Sequence, residues 1–376
     1  MRILIIGGGI LGTAHADAAV RRGHDVLHLE REPEARGATV RNFGLVWVSG
    51  RTRGELDATL RSRELWEDLG ARVPDVGFRV NGSLTLLRTD AEVAVAEEAI
   101  ARDDAQRRGF ALLDADETRR RNPALRGKFL AALHCSTDAT VESRIALPAI
   151  RQHLATSGRY RFLPSTEARD VSRTPHGTVK VRDDHGTVHE TDLVLVCPGA
   201  TLGGLARDLA GDLPLRRVRL QMMQTAPLGE DLTTSIADGD SLRYYPGFAG
   251  TALDDLTASE EQRPVAARHR MQLLCVQRLH GGLTIGDTHA YDEPFDFDVD
   301  EEPYDHLVAV TEEFLGRRLP RVVRRWAGVY SQCIDPTALV HRTKADEDVW
   351  VVAGPGGRGM TLGPYLGEET ADLLGL

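Results

Sequence analysis

Three glycines near the N-terminus have the spacing of a dinucleotide-binding turn. Gly7, Gly9 and Gly12 form a G-x-G-x-x-G motif directly after the apolar run Ile3–Ile6. In such a motif the first glycine permits a tight turn, the second lets the backbone approach a pyrophosphate, and the third allows close packing of helix and strand. The phosphates then meet the positive end of the following helix and its free N–H groups.

A carboxylate follows at the position from which it can bind a ribose. An Ala-rich helix over Thr13–Arg22, a stop at Gly23 and a strand over Asp25–Leu29 lead to Glu30, which lies 18 residues after Gly12. This carboxylate can accept hydrogen bonds from ribose hydroxyls, and it disfavours the 2′-phosphate of NADP. Strand, helix, strand and acid together predict a dinucleotide-binding unit.

Two further strands lead into glycine, one in the middle of the chain and one near its C-terminus. The strand that starts at Asp192 ends near Gly199, and the strand Val349–Ala353 leads into the turn Gly354–Gly359 and a helix from about Thr361. An NAD-binding domain is usually contiguous, whereas an FAD-binding domain that carries an inserted substrate domain spreads its strands in this way. We therefore expect FAD, bound noncovalently.

Both ends of the chain resemble the superfamily of FAD enzymes that contains D-amino-acid oxidase, glycine oxidase and sarcosine oxidase, the DAO superfamily. The resemblance rests on four segments: Gly7–Glu30, Gly37–Thr39, Trp326–Gly328 and Gly354–Gly359 with the following Thr361 and Leu362. Residues Ala38–Gly44 and Trp326–Ser331 are also similar to a clade associated with phosphonate catabolism.

The resemblance implies an α/β fold with two parts. The first is a Rossmann-like FAD-binding domain of the glutathione-reductase type, discontinuous in sequence and assigned to residues 1–80, 140–215 and 326–376. The second is an inserted α+β substrate domain on a mostly antiparallel sheet, assigned to residues 81–139 and 216–325.

Motif and resemblance together assign the contacts to FAD. We expect backbone N–H groups near Met360 and Thr361, at the start of the last helix, to lie beside the N1–C2=O edge of the flavin and to stabilise negative charge there. The residues expected to contact the cofactor are Gly7, Gly9, Ile10, Leu11, Gly12, Glu30, Arg31, Ala38, Thr39, Arg41, Asn42, Gly44, Gly199, Gly356, Gly357, Arg358, Gly359, Met360 and Thr361.

The substrate is expected to meet Tyr330. Glycine and D-amino-acid oxidases place an arginine in the segment Trp326–Ser331 to clamp the substrate carboxylate, and the residue in that register here is Tyr330. The departure disfavours an ordinary α-amino acid, although sarcosine-type relatives use a tyrosine at this position. A plain core aromatic is the alternative for Tyr330.

Four more side chains are candidates for contact with the substrate. Arg243 and Tyr245 lie in one segment of the inserted domain, His289 lies in another, and Arg358 lies in the C-terminal glycine turn. Arg358 is equally compatible with a surface guanidinium, and His289 with a structural histidine. The arginines Arg41, Arg243 and Arg358 favour an anionic substrate, with phosphonate ahead of carboxylate.

Composition excludes several classes of protein. The 376 residues carry a net charge of −10, which disfavours a dedicated nucleic-acid binder, and no apolar run is long enough for an integral membrane span. The four cysteines are far apart, which excludes a disulfide scaffold or zinc ribbon and predicts a cytoplasmic protein without a bound metal. Cys333 lies near the site of covalent flavin attachment in some sarcosine oxidases, but their cysteine aligns closer to Gly328. The carboxylate-rich run 292–302 is interpreted as a solvated loop.

The predicted activity is oxidation of the C–N bond of a small amine or amino acid, with an aminophosphonate as one candidate. The resulting imine hydrolyses, and oxygen or another acceptor reoxidises the flavin. Two alternatives stay open: oxidation of a 2-hydroxy acid, for which His289 is the candidate base, and a non-catalytic flavin-binding subunit of a larger complex. The sequence leaves a homo-oligomer open.

Overall fold

The computed structural model describes all residues from 1 to 376. Its strands are β1 (Arg2–Ile6), β2 (Asp25–Leu29), β3 (Leu45–Val46), β4 (Ser83–Leu87), β5 (Phe110–Asp114), β6 (Ala131–Cys135), β7 (Ala139–Thr140), β8 (Tyr160–Leu163), β9 (Ala168–Arg173), β10 (Val179–Asp183), β11 (Val188–Thr191), β12 (Leu193–Val196), β13 (Leu215–Pro227), β14 (Ser235–Asp238), β15 (Leu274–Gln277), β16 (Gly282–Gly286), β17 (Val322–Cys333), β18 (His341–Asp346) and β19 (Val349–Ala353).

The helices connect and cover these strands. They are α1 (Ile10–Arg21), α2 (Leu56–Arg72), α3 (Asp90–Ile100), α4 (Ala105–Arg108), α5 (Ala115–Arg121), α6 (Ala146–Ala155), α7 (Leu205–Ala210), α8 (Asp240–Tyr244), α9 (Thr251–Ser259), α10 (Pro264–His269), α11 (Glu301–Leu315) and α12 (Gly359–Leu373). Five 3₁₀ turns lie at Ala38–Val40, Arg53–Glu55, Pro74–Val76, Pro246–Phe248 and Gly356–Arg358.

A six-stranded sheet carries the glycine junctions. Its order is β18-β19-β12-β1-β2-β8, and every pair is parallel except β18 with β19. The short apolar strands suit such a sheet because both of its faces are covered, one by helices α1 and α6 and the other by strands β9 and β10 together with α7. Since parallel strands end at the same edge, the junctions after β1, β12 and β19 are brought together there.

Helix α1 begins at Ile10, earlier than the predicted start at Thr13. Gly9 is its N-cap, so the helix starts inside the glycine motif. The small residues on α1 let it pack closely against α12: a Cβ at Gly367 would lie 2.6 Å from the carbonyl oxygen of Ala14. The first and last helices of the chain are therefore in direct backbone contact beside the glycine motif.

An eight-stranded sheet forms the second layer of the molecule. Its order is β17-β13-β16-β15-β14-β4-β6-β5, and all neighbours are antiparallel except β14 with β4. The expected α/β fold with a second, mostly antiparallel sheet is confirmed. Strand β17 begins before residue 326 and continues to Cys333, so it crosses the predicted boundary between the two domains, and the division into domains stays a prediction.

Two polar segments of the inserted region differ in structure. The stretch 251–266 contains α9 and the start of α10, while the carboxylate-rich run is irregular as far as Asp300, the N-cap of α11. Polar composition alone does not exclude a helix when its apolar residues, such as the buried Leu256 and Ala266, lie on the inner face. No helix combines the length and the hydropathy needed to cross a bilayer.

Candidate active site

A cavity of about 1330 Å³ lies where the edge of the six-stranded sheet meets the eight-stranded sheet. The loops after β1, β2, β12 and β19 line one part of it, and β17, α8 and the loop after β16 line another. Such a junction is the usual place for a ligand in a fold of this kind.

Two glycines of the first turn, Gly7 and Gly12, are required by contacts within the protein itself. Gly7 has a φ of +109°, and a Cβ there would lie 2.2 Å from the carbonyl oxygen of Cys197. A Cβ at Gly12 would lie 2.0 Å from the carbonyl oxygen of Gly7. Gly9 is different, because its Cβ would meet only the Thr39 hydroxyl, at 3.4 Å. The protein's own packing does not require Gly9, which lines the cavity.

The start of α1 presents free donors to the same part of the cavity. The N–H of Ile10 donates to the Thr39 hydroxyl at 3.0 Å. The N–H groups of Gly9, Leu11 and Gly12 have no acceptor within the protein. Free N–H groups at the positive end of a helix bind phosphate oxygens.

Glu30 closes this part of the cavity. Its carboxylate accepts hydrogen bonds from the N–H of Gly8 at 2.6 Å and from the N–H of Glu32 at 2.9 Å. One oxygen takes each bond, so each oxygen keeps a lone pair for a further donor such as a ribose hydroxyl. Arg31 and Gly199 lie nearby in the lining, and the Arg31 guanidinium donates to Thr201 at 3.4 Å.

The segment 38–44, further along the same loop, contributes four of its five expected residues. Ala38, Thr39, Arg41 and Asn42 line the cavity, and the Asn42 amide shapes the loop by donating to the carbonyl oxygens of Ala38 and Thr39. Gly44 does not line it. Its φ is +69°, and a Cβ would lie 2.1 Å from the carbonyl oxygen of Val141, so this glycine is required by packing.

The C-terminal turn brings the start of α12 to the cavity, as expected. Gly356, Gly357, Arg358, Gly359, Met360 and Thr361 all lie in its lining. Helix α2 fixes the position of this turn, because the Trp66 indole donates to the Met360 carbonyl oxygen at 2.8 Å and the Ser62 hydroxyl donates to that of Thr361 at 2.6 Å. The Thr361 hydroxyl in turn accepts from the N–H of Trp47 at 2.9 Å.

Arg358 is a buried, paired cation. Its guanidinium forms an ion pair with Glu55 and donates to the carbonyl oxygens of Ala338 at 2.7 Å and Pro355 at 3.1 Å. Burial raises the pKa of Glu55, but Arg51 and Arg358 outweigh burial and hold it below its usual range. The surface alternative for Arg358 is therefore wrong.

Arg51 is a second buried guanidinium, and sequence reasoning missed it. Its Nε donates to the Trp47 carbonyl oxygen at 3.1 Å, while its terminal nitrogens make no hydrogen bond within the protein. The guanidinium lies over the Tyr245 ring, 5.8 Å from the ring centre, and burial lowers its pKa. Gly50 allows this approach, because a Cβ there would lie 2.5 Å from Tyr245. The Gly-Arg pair shortly after an apolar strand is the only local signal.

Aromatic side chains form a further wall of the cavity, which adjoins the C-terminal glycine turn. Tyr330 and Tyr245 line the cavity as expected, together with Tyr244. Tyr330 lies under the C-terminal turn: its hydroxyl would be 3.7 Å from a Cβ at Gly357. Burial raises the pKa of all three phenols, so they stay neutral at physiological pH.

His289 also lines the cavity, as a neutral ring in an aromatic stack. It stacks on Tyr244 at 4.3 Å between ring centres, and its Nδ1 donates to the Arg270 carbonyl oxygen at 3.0 Å. Burial lowers its pKa to about 4. Beside it lies Asp287, a buried acid that was not among the expected site residues.

Arg243 is the one expected substrate contact that the structure does not bring to the cavity. Its guanidinium donates to the carbonyl oxygens of Leu256 and Glu260 and lies 3.9 Å from Asp240. It therefore joins α8 to the C-terminal end of α9, two elements within the inserted region.

The lining fits FAD on structural grounds. Free N–H donors and the open face of Gly9 suit a pyrophosphate, and Glu30 has acceptor capacity left for a ribose. The cavity then continues past the C-terminal turn to the aromatic wall, which leaves room for a flavin and a small substrate.

Comparisons with known proteins agree with this geometry. The family model described as DAO, FAD dependent oxidoreductase, matches residues 2–373. One subunit of the opine oxidase from Rhizobium meliloti is 27% identical over 238 residues, which are 59% of this chain and 62% of that protein's length.

Two solved structures share the fold. Glycine oxidase from Geobacillus kaustophilus aligns over 100% of this chain and 95% of its own with a TM-score of 0.77 at 19% identity. Iminodiacetate oxidase from Chelativorans sp. BNC1 aligns over the same shares with a TM-score of 0.75 at 19% identity.

Proposed function

The chain belongs to the DAO family of FAD-dependent oxidoreductases, and we propose that it oxidises the C–N bond of a small amine that carries an anionic group. FAD, when bound, would accept a hydride from the carbon beside the nitrogen of the neutral amine, and water would hydrolyse the protonated imine that remains. Oxygen or another acceptor then takes the electrons. The protein's own groups orient the amine and exclude water from the reacting carbon.

The buried charges of the cavity support an anionic substrate. Arg51, Arg358 and Glu55 are buried together, and the ion pair between the last two leaves one guanidinium without a counter-ion. An uncompensated buried charge is costly. An anion bound by the terminal nitrogens of Arg51 would remove that cost, and this is the observation that carries the proposal.

We place phosphonate ahead of carboxylate as the anionic group. Arg51 and Arg358 belong to distant segments of the chain, yet their charges are close enough to affect each other. A tetrahedral group with up to two charges accepts donors from several directions, whereas a carboxylate suits one planar fork. Tyr330, in place of a carboxylate-binding arginine, agrees with this preference.

The test is an anaerobic screen of the FAD-loaded protein for loss of the oxidised flavin absorbance. The panel comprises 2-aminoethylphosphonate, sarcosine, glycine, uncharged amines and 2-hydroxy acids. We expect the anionic amines to reduce the flavin fastest. If uncharged amines reduce the flavin fastest, the proposal that the substrate carries an anionic group is wrong. If 2-hydroxy acids reduce it fastest, the protein oxidises a C–OH bond and not a C–N bond.

Arg51→Ala tests the same proposal from the side of the protein. Removing a buried partner of an anion typically costs about 2–5 kcal/mol, which is at least ~30-fold in binding. We expect KM for an anionic amine to rise by that factor while FAD content is unchanged. Arg53→Ala is the matched control, because Arg53 is exposed and pairs only with Asp103 at the surface. Equal effects of the two substitutions would contradict the role of Arg51.

A second candidate is a component of a larger oxidase. It is favoured by one observation: a curated relative that the chain matches is named as one of the subunits of an opine oxidase. The purified chain would then bind FAD but reduce it with none of the panel, and addition of a cell extract that contains its partner would restore turnover. Turnover by the isolated chain excludes this candidate.

A further inference from the structure

We propose that Asp287 binds the ammonium group of the substrate and takes one of its protons, so that the amine is neutral when it is oxidised. The inference rests on the function proposed above and adds the group that makes the nitrogen lone pair available. Nothing in the comparisons assigns this role.

Asp287 has one occupied and one free oxygen. It follows β16 directly and lines the cavity. Gln272 donates from its side-chain amide to Oδ1 at 3.0 Å, while Oδ2 makes no hydrogen bond within the protein and lies 3.8 Å from Nε2 of His289. The free oxygen is thus available to a ligand in the cavity.

Four titratable groups around Asp287 are neutral: His289 from the same loop, Tyr244 and Tyr245 from α8 and the residue after it, and Tyr330 from β17. The one charged group near them is the Arg51 guanidinium over the Tyr245 ring. His289, itself neutral, is the only basic side chain within ion-pair distance of the carboxylate. Burial raises the pKa of Asp287 to about 8, in agreement with this surrounding.

Asp287 and Arg51 are matched to the two ends of one small zwitterion. Both lie close to Tyr245: the Arg51 guanidinium is over its ring, and the charge of Asp287 also acts on its phenol. An amine joined to an anionic group by a short chain would place its anion at Arg51 and its nitrogen at Asp287. An anion without an amine would satisfy only Arg51.

The proton transfer follows from burial. An N–H bond of the ammonium breaks and an O–H bond forms on Oδ2, so an ion pair becomes a neutral amine beside a neutral carboxylic acid, with no oxidation or reduction. A buried site favours the neutral pair. His289 is less suited to this role, because its ring has a pKa of about 4 and would hold the proton poorly.

The test measures the rate of anaerobic flavin reduction between pH 6 and pH 10, with 2-aminoethylphosphonate and with sarcosine, in the wild type and in Asp287→Asn. In the wild type the second-order rate should rise about tenfold per pH unit up to about pH 8. In the variant the rise should continue toward the pKa of the free ammonium, near 10, so that the rate at pH 7.5 falls roughly 100-fold.

Asp238→Asn is the matched control. Asp238 is also buried, and burial raises its pKa, but it lies outside the cavity, where it accepts a hydrogen bond from the N–H of Leu273 at 3.0 Å. We expect Asp238→Asn to leave the pH profile unchanged.

Gln272→Leu gives an independent measurement that does not remove the carboxyl group. It deletes the hydrogen bond to Oδ1, so the pKa of Asp287 should rise and the profile should move upward by about one pH unit. Ethylphosphonate, which lacks the amine, should bind the wild type and Asp287→Asn with equal affinity, as followed by perturbation of the flavin spectrum.

The outcomes separate this inference from the proposed function. If no amine reduces the flavin of the wild type, the proposed function fails. If the wild type is reduced but Asp287→Asn and Gln272→Leu keep its pH profile and a rate within about threefold, only the role of Asp287 is overturned. If Asp287→Asn no longer binds FAD, the pH profile of Gln272→Leu alone tests the role of Asp287, and an unchanged profile overturns that role.

Discussion

The carboxylate of Glu30 accepts a hydrogen bond of 2.6 Å from the N–H of Gly8, and this bond joins the end of β2 to the glycine turn that follows β1. One side chain therefore serves two purposes. It fixes the shape of the turn that faces the phosphates, and it presents acceptor oxygens to the ribose beside it.

Glu30→Ala should weaken retention of FAD while leaving the fold largely intact. Hydrogen bonds to a charged group are each worth about 1.5–3 kcal/mol, so the affinity should fall roughly tenfold to a hundredfold. Titration of FAD into the apoprotein measures this. Glu34→Ala is the control, because Glu34 is exposed and outside the cavity. An unchanged affinity in Glu30→Ala would refute the assignment.

Gly9→Ala and Gly12→Ala should separate cofactor binding from folding. The Gly9 backbone has a φ of −74°, which alanine adopts, and its Cβ would meet only the Thr39 hydroxyl. We expect Gly9→Ala to fold but to bind FAD about tenfold more weakly or worse, because the methyl group occupies the phosphate side of the turn. Gly12→Ala should impair folding, because its Cβ would overlap the Gly7 carbonyl oxygen. Circular dichroism with FAD titration distinguishes the two, and equal FAD affinity in Gly9→Ala and the wild type would contradict the expectation.

Glu55→Gln should lower stability, because it leaves Arg358 buried without a full counter-charge. Loss of one partner of a buried ion pair costs about 3–5 kcal/mol. Chemical denaturation at neutral pH measures the loss, and Glu55→Gln combined with Arg358→Met should recover part of it. If the double variant is no more stable than Glu55→Gln, the loss of stability does not come from an unpaired charge on Arg358.

The same pair has a defined pH dependence. The folded protein holds the pKa of Glu55 below its ordinary value of 4.5. The contribution of this ion pair to the free energy of unfolding is therefore complete above about pH 4.5, and it is lost as the pH falls through the pKa that Glu55 has in the folded protein. The difference in stability between the wild type and Glu55→Gln should narrow over that range.

FAD should be released without a covalent link when the protein is denatured. Cys333 is buried at the end of β17, outside the cavity, and burial raises the pKa of its thiol, so little thiolate is present to attach a flavin. After acid precipitation we expect all of the flavin in the supernatant as FAD. Cys333→Ser should hold as much FAD as the wild type, and a yellow pellet would contradict the expectation.

The cofactor part of the site was predictable because its signals are local. A strand, a glycine turn, a helix and an acid follow one another within the first thirty residues, and their order alone determines which groups face the phosphates. The start of α12 was found for the same reason. Gly44 shows the limit of such local signals. This glycine is required because its backbone packs against Val141, and it does not line the cavity.

The substrate part could not be predicted to the same depth. Arg51 and Asp287 are 236 positions apart in sequence, yet both line one cavity and both lie near Tyr245. Arg243 had the right residue type in the right segment, but its helix turns it toward α9. Whether a side chain faces a cavity depends on tertiary packing, which composition and spacing do not encode.

Strand β17 determines at which positions a segment of this chain can be exchanged for the corresponding segment of a related protein. It carries Tyr330 on the substrate side, and two residues of its end bind Gly354: the Ser331 hydroxyl accepts from the Gly354 N–H at 3.2 Å, and the Cys333 N–H donates to the Gly354 carbonyl oxygen at 3.1 Å. A chimera joined at residue 326 would take the first part of this strand from one parent and the rest from the other, and would separate Tyr330 from the partner strand that positions it. A graft of residues 215–333 keeps the strand and its partner β13 from one parent, so the transferred part keeps its own alignment with the flavin.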